Sequence, residues 1–162
     1  MRRVLRRREI VADDWCHFDE EPAASRVIVP LKELRANAQR WAEHAGPLGV
    51  RIGPADAIED LAPDLQRFAL IAVEFPAPGE GRGYTQGRLL RTRFGFVGEL
   101  RALGPALKRD LIFALARCGF DTFEVAAGED LDACAHALER YTVAYQPGAS
   151  EPATVRQRYL RA

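Results

Sequence analysis

Cysteine is scarce in this chain of 162 residues, and its few thiols stand far from one another. Cys16, Cys118 and Cys134 are odd in number and form no CxxC pair. That spacing excludes a self-contained iron–sulfur site or a zinc knuckle. Reduced thiols are the default for such cysteines. Because Cys118 and Cys134 lie in apolar stripes at helical spacing, we expect both to pack in the core.

Long apolar runs and a net charge are missing as well. No stretch reaches the roughly 18–20 apolar residues that cross a bilayer, and no apolar segment of a secretory signal follows the arginine-rich start. The 23 basic and 23 acidic residues balance, so no overall field attracts nucleic acid or an anionic membrane. The expectation is a cytoplasmic protein that binds neither nucleic acid nor membrane.

The basic residues are almost all arginines, and several lie at the start of the chain. Lysine occurs only as Lys32 and Lys108. Five arginines lie among the first eight residues: Arg2, Arg3, Arg6, Arg7 and Arg8. They either contact RNA or guard the exposed edge of a sheet, and the acidic residues that follow them favour the second interpretation.

Motifs for catalysis and for cofactors are also lacking. His17, His44 and His136 have no companion residues for nucleophilic or metal chemistry. The glycines form neither GxGxxG after a first strand nor GxxxxGK[ST], which excludes a dinucleotide fingerprint and a P-loop. No flavin or nicotinamide fingerprint is present, and the sequence predicts neither a cofactor nor a metal site.

Strand-like and helix-like segments alternate from residue 26 onwards. Apolar residues at helical spacing follow each of five expected strands, at 26–30, 48–52, 69–75, 98–103 and 122–125. Five β–α repeats with short connections predict an α/β fold with a mainly parallel sheet and right-handed crossovers. The strands run either in sequential order, as in part of a β/α barrel, or in a doubly wound sheet.

A short β-hairpin is expected over residues 4–18, before the repeats. Val4 and Leu5 form its first arm, and aromatic and β-branched residues up to Phe18 supply the second. With the repeats at 26–147, the hairpin completes a single α/β domain over residues 1–147. Residues 148–162 are expected to form a polar tail.

One charged residue interrupts each of four apolar strands near its C-terminal half. These residues are Arg51, Glu74, Arg101 and Glu124. The neighbours of each point to the opposite face, so in sequential strand order all four charges share one face and alternate in sign. Glu74 and Glu124 are then candidates for catalytic acid and base, and Arg51 and Arg101 for anion binding. In a doubly wound sheet the same charges are strand ends that reach solvent.

A glycine-rich loop over residues 78–83 follows the third of these strands and leads into a helix. Backbone N–H groups at a helix N-terminus form a natural anion site, to which arginine and tyrosine side chains add donors. The candidate residues are Gly81, Arg82, Gly83, Tyr84 and Arg88. The alternative is a flexible connector, with Arg88, Arg91 and Arg93 on the solvated face of the helix.

Several segments of the chain are distinctive: 74–76, 81–91, 93–96, 98–104, 110–111 and 117–124. Together they resemble a bacterial family labelled domain of unknown function 934, and the likeness extends over about residues 4–147. Thr85 stands where a serine is common in the family. The resemblance implies a role in sulfite reduction and carries an oxidoreductase label, because members tend to be encoded beside assimilatory sulfite reductase. It assigns no catalytic residue.

Two functions remain open. In the first, the protein is an accessory protein of assimilatory sulfite reduction that binds an oxyanion or docks to a partner, such as sulfite reductase or another sulfur-assimilation protein. In the second, it is a small enzyme that acts on a sulfur oxyanion or another small anion, with Glu74, Arg82, Arg101 and Glu124 at its site. An enzyme requires these side chains to converge in a pocket. A docking protein has this face flat or covered, by its own termini or by the second copy of a homodimer.

Overall fold

The computed structural model describes residues 2–21, 24–140 and 143–149. Within these ranges eight strands form a mixed sheet in the order β2-β1-β8-β7-β6-β5-β4-β3. The strands are β1 (Arg3–Arg6), β2 (Glu9–Ala12), β3 (Cys16–His17), β4 (Val27–Pro30), β5 (Leu48–Ile52), β6 (Phe68–Glu74), β7 (Glu99–Leu103) and β8 (Thr122–Glu124). The helices are α1 (Leu31–Ala36), α2 (Ala38–Ala42), α3 (Arg82–Thr92), α4 (Arg109–Arg117) and α5 (Leu131–Glu139). Most of the tail expected over residues 148–162 lies outside the described residues.

Strands β3 to β8 lie side by side in chain order, and each is parallel to the next. Strand β1 is antiparallel to both β8 and β2. The sheet is therefore mixed, and the prediction of a mainly parallel sheet is wrong, because the N-terminal hairpin belongs to the same sheet. Sequential strand order produces a curled half-barrel rather than a doubly wound sheet.

The hairpin is shorter than the sequence predicts. Strands β1 and β2 pair around the turn Arg7–Arg8, but β3 pairs with β4 at the opposite edge of the sheet. Eight flat strands would hold these edges about 33 Å apart, whereas the chain from Ala12 to Cys16 reaches only about 14 Å. The sheet must therefore curl until its edges approach, and residues 13–15 cross its concave side.

The helices are less regular than their apolar spacing predicts. Apolar residues at helical spacing over residues 31–45 predict one helix, but the structure divides it at Asn37, where φ is −126° and ψ is 44°. Asparagine is a poor helix former, and here its side chain donates to Glu33. The segment Ile58–Arg67 around Pro63 is a 3₁₀ helix. Among the described residues, no helix has the length and apolar character needed to cross a bilayer.

The main hydrophobic core lies between the convex face of the sheet and the helices. Val50, Ile71 and Leu100 are aligned on neighbouring strands and belong to the same buried cluster as Leu90 and Ile112 from the helices. Right-handed crossovers between sequential parallel strands place helices on a single face in this way. Of the two cysteines expected in the core, Cys134 belongs to this cluster and Cys118 packs against it.

A smaller apolar cluster lies on the concave face. Trp15, in the crossing segment, packs on four residues of β4, β6 and β7, which are Ile28, Leu70, Ala72 and Leu103. Gly49 leaves room for the indole, since a Cβ atom there would lie 3.3 Å from the Trp15 ring. The chain thus covers part of its own concave face, where the four strand charges also lie.

Candidate functional site

The strand register places the four charges on the concave face at two levels. Arg51 is aligned with Arg101 through Ala72, one strand between them. Glu74 and Glu124 are both aligned with Leu103, one level nearer the carboxyl ends of the strands. Of these four side chains, only those of Arg101 and Glu124 form an ion pair with each other, at 3.4 Å.

Arg101 is fully buried at the centre of this face, and carboxylates of the protein surround its guanidinium group. The two terminal nitrogens each donate to a different oxygen of Asp13, both at 2.9 Å. Nε and one terminal nitrogen donate to Glu99, at 3.1 and 2.9 Å. With the longer bond to Glu124 at 3.4 Å, all five N–H donors of Arg101 have acceptors.

Two further basic residues complete the buried network. Nε of Arg2 donates to Asp13 at 2.9 Å, and another Arg2 nitrogen donates to the Trp15 carbonyl at 2.8 Å. Nε2 of His17 lies 3.1 Å from both carboxylate oxygens of Glu124. Because Asp13 and Trp15 belong to the crossing segment and His17 to strand β3, which follows it, the network fastens this part of the chain to strands β7 and β8.

Both central carboxylates are held in their ionised form. Burial by itself would raise the pKa of Asp13, but the hydrogen bonds and charge of Arg101, together with Arg2, outweigh burial, and the pKa lies below its usual value. Burial likewise opposes ionisation of Glu124, whose pKa is nevertheless lowered by His17, Arg2 and Arg101. A carboxylate with a lowered pKa is a poor proton donor near neutral pH.

These two groups predict a loss of stability in acid. Their pKa values are lower in the folded than in the unfolded chain, so their contribution to stability is present above their unfolded pKa values, and it is lost as the pH falls from about 5. Asp121 acts in the opposite direction, because burial raises its pKa. Urea titrations between neutral and acidic pH should show a lower free energy of unfolding in acid.

The variants Asp13→Asn and Glu124→Gln should each flatten this pH dependence. Asp64→Asn is the matched control, because Asp64 is half exposed and pairs only with Arg67 in the described chain, at 3.4 Å. If the free energy of unfolding of both network variants falls with pH as steeply as that of the wild type, Asp13 and Glu124 are not the cause of the acid sensitivity.

An open cleft of about 310 Å³ lies at the carboxyl ends of the strands. His17, Arg51 and Glu124 are among the residues that line it. Arg51 donates to Asp19 at 2.7 Å, so this arginine also has a carboxylate partner. Glu74 does not line the cleft, and no residue that the structure describes forms a hydrogen bond or ion pair with its carboxylate.

The glycine-rich loop forms a separate feature. Helix α3 begins at Arg82, whose backbone N–H donates to the Glu80 carboxylate at 3.1 Å, so a protein carboxylate occupies this helix end. Gly83 lies so close to the Phe75 ring that a Cβ atom would approach within 2.5 Å. Tyr84 stacks edge-on against the same ring at 5.6 Å. These glycine and aromatic residues pack the helix onto β6.

The loop arginines point away from the buried network. The side chain of Arg82 is 67% exposed, and Arg88 is exposed. Among the described residues, no hydrogen bond or ion pair joins the loop candidates to Arg51 or Arg101. Arg91, expected on the solvated face of the helix, is instead half-buried. It donates to the carbonyls of Phe96, Gly98 and Gly119 and to Asp121.

Sequence reasoning missed most of the residues that surround Arg101. Glu99 could have been predicted, since the period-two alternation of a strand places it on the same face of β7 as Arg101. No sequence pattern placed Asp13 and His17 near Arg101, because the residues around them predicted the second arm of a hairpin. Arg2 was grouped with the other N-terminal arginines.

A scan against protein-family models shows the family of this chain. A model described as a bacterial protein of unknown function, DUF934, matches residues 49–156, more than half of the chain. The chain belongs to the DUF934 family. No protein of curated function matches this DUF934 chain.

The site of this DUF934 protein extends beyond the matched range. Arg51, Glu74, Arg101 and Glu124 fall inside it, whereas Arg2, Asp13 and His17 precede residue 49. The buried network therefore joins strands of the matched region to the crossing segment before it. In the described part of the chain, no group of three or more His, Cys, Asp or Glu side chains is placed to hold a metal ion.

Proposed function

We propose that this DUF934 protein is a non-catalytic accessory protein of assimilatory sulfite reduction that acts by docking to a partner protein. The observation that carries the proposal is the covered state of the charged face. All five donors of Arg101 bind carboxylates of the chain itself, and residues 13–17 cover the centre of the face. A group so engaged holds the fold together rather than a substrate.

Acid–base catalysis by the paired glutamates has little support. His17 and two arginines keep Glu124 ionised, and Glu74 makes no described contact with it. An enzyme of this kind requires two titratable groups that converge on one substrate position. The arrangement therefore favours docking over catalysis.

Oxyanion binding has no better support than catalysis. Asp19 holds Arg51, and Glu80 occupies the N-terminus of α3. The cleft beside Arg51 is lined by Asp19, Glu20 and Glu124, whose negative charges repel an anion. Of the two modes proposed for an accessory protein, partner docking fits the surface better.

The pathway and the partner class come from the family resemblance. Sulfite reductase or another sulfur-assimilation protein is the proposed partner. The cover over the charged face comes from the chain's own N-terminal segment, so the proposal requires no second copy of the chain.

Growth on defined sulfur sources tests the proposal. A strain that lacks the protein should fail to grow on sulfate and should grow on sulfide, because only sulfate must pass through sulfite reduction. Wild-type protein and the Glu74→Gln variant should both restore growth on sulfate. Glu74 suits this test because it has no described partner, so the variant should fold normally.

Two outcomes would overturn the proposal, and they are separable. Normal growth of the deletion strain on sulfate would remove the pathway. Failure of Glu74→Gln to restore growth, at wild-type protein levels, would remove the non-catalytic role.

A thermal-shift experiment tests separately whether the protein binds an oxyanion. Sulfate should raise the Tm of the wild type and of Arg51→Gln and Arg82→Gln equally, through its general salting-out effect.

A small enzyme is the second candidate function. The observation that favours it is the 310 Å³ cleft at the carboxyl ends of the strands, where open α/β sheets bind ligands. His17 and Glu124 would be its reacting pair. In that case His17→Asn should abolish complementation without lowering protein levels, whereas a docking protein should tolerate this change.

A further inference from the structure

A groove of about 670 Å³ lies at the opposite end of the concave face from the cleft. The turn between β1 and β2 forms one wall, and the starts of β7 and β8 form the other. Its charged and apolar lining includes Arg6, Arg7, Arg8, Val97, Glu99 and Asp121.

Two of the three carboxylates in this groove, those of Glu99 and Asp121, are already paired within the protein, whereas Glu9 forms no salt bridge with a described residue. Glu99 accepts from Arg6 at 3.1 Å and from Arg101 at 2.9 Å. Asp121 accepts from Arg91 at 3.0 Å. Arg7 and Arg8 are exposed, and neither forms a salt bridge or side-chain hydrogen bond with any residue that the structure describes. The groove therefore presents at its rim two exposed arginines that belong to no salt bridge among the described residues, and the charge of Arg7 also acts on Asp121.

The backbone at Arg7 is strained. Its φ of +56° lies in the left-handed region, and among the described residues other than glycine no other has a positive φ. Glycine is preferred at such a position of a two-residue hairpin turn, because it lacks a Cβ atom. An arginine here is unfavourable for the turn itself, and strain of this kind tends to persist where a side chain serves another purpose.

An exposed apolar side chain lies beside these cations. Val97 is 86% exposed and lines the same groove. A valine that contributes nothing to the core, next to two exposed arginines outside any described salt bridge, suits a ligand that carries both negative charge and apolar groups.

We infer that the groove bounded by Arg7, Arg8 and Val97 binds an extended acidic segment of a partner protein, with an apolar side chain of that segment placed on Val97. The inference rests on the proposed docking function and adds to it the docking surface and the chemistry of the partner. Carboxylates of the segment pair with the two arginines, which form no salt bridge with a described residue.

A protein segment suits this groove better than a nucleic acid. Of the described residues that line it, none is aromatic, so bases have no ring on which to stack. The exposed valine offers an apolar contact that phosphate does not use.

Fluorescence anisotropy with a defined probe tests the inference. The probe is a short labelled peptide of alternating glutamate and valine, titrated with the full-length protein at low salt. The double variant Arg7→Gly with Arg8→Ser should weaken its binding about tenfold. The same change should leave the Tm unchanged or higher, because glycine relieves the strain at residue 7. A loss of binding therefore cannot be ascribed to unfolding.

Matched controls isolate the groove. Lys32→Gln with Lys108→Gln removes the same charge from exposed positions elsewhere and should leave binding unchanged. Val97→Ser should weaken binding of the glutamate–valine peptide and leave binding of a glutamate–serine peptide unchanged.

Three results would overturn the inference: no binding of the peptide, equal binding by the groove variant and the lysine control, or tighter binding of a single-stranded oligonucleotide than of the peptide. These failures are distinguishable from failure of the proposed function. If the deletion strain still requires the protein on sulfate but the peptide does not bind, docking uses another surface. If the peptide binds and growth is normal, the pathway is wrong and the groove remains.

Discussion

Replacing Arg101 with methionine is expected to lower the free energy of unfolding by about 3–5 kcal/mol, because it leaves buried carboxylates without their partner. Arg101 satisfies Asp13, Glu99 and Glu124 at once, and both Arg101 and Asp13 are fully buried. Methionine fills similar volume but offers no donor. Urea denaturation followed by circular dichroism measures the change directly.

Arg51→Met is the matched control. Arg51 lies at the same level of the same face, but its partner Asp19 is exposed. Solvent screens such a pair, so its loss should cost no more than about 1 kcal/mol. If both variants lose a similar free energy of unfolding, burial of the Arg101 network does not determine how much it contributes to stability.

The variant Gly104→Ala is expected to be the second most damaging, at about 2–5 kcal/mol, because backbone strain and steric overlap act together. Gly104 follows β7 with a φ of +124°, and a Cβ atom there would lie 2.5 Å from the Phe75 carbonyl oxygen. That oxygen already accepts from the N–H of Ala106 at 3.1 Å. The variant should therefore unfold at lower urea concentration and lose the turn that borders the cleft.

Gly79→Ala separates the two causes. Gly79 also has a positive φ, of +84°, but a Cβ atom there would meet nothing within 4 Å. Gly79→Ala should therefore lower the free energy of unfolding only by the backbone strain, about 1–2 kcal/mol. If Gly104→Ala were no worse than Gly79→Ala, the overlap with Phe75 would have relaxed at little cost.

Much of the sheet could be predicted from apolar patterning alone. The strand Leu48–Ile52 is observed with its predicted bounds, and the strand that ends at Glu74 is displaced by one residue. Helix α1 and the 3₁₀ helix before β6 were harder, because an isolated asparagine and an internal proline change a helix in ways that apolar spacing does not record.

Only part of the candidate site could be predicted from such patterns. Period two placed Arg101 and Glu124 on one face, because alternation along a strand is a local property. The partners of these residues are distant in sequence: Asp13 lies 88 positions from Arg101, and His17 lies 107 positions from Glu124. No local pattern encodes such pairs.

The sequence by itself determined the alternation of strands and helices and membership of the DUF934 family. It placed the strand charges on one face only for sequential strand order, and the structure decided that this order is the right one. Only the tertiary structure decided that the sheet curls, because a connection of three residues between its two edge strands forces those edges together. That curl brings Asp13 and His17 over the strand charges, where they bind Arg101 and Glu124, and it leaves Arg7 and Arg8 exposed at the rim, outside any salt bridge with a described residue.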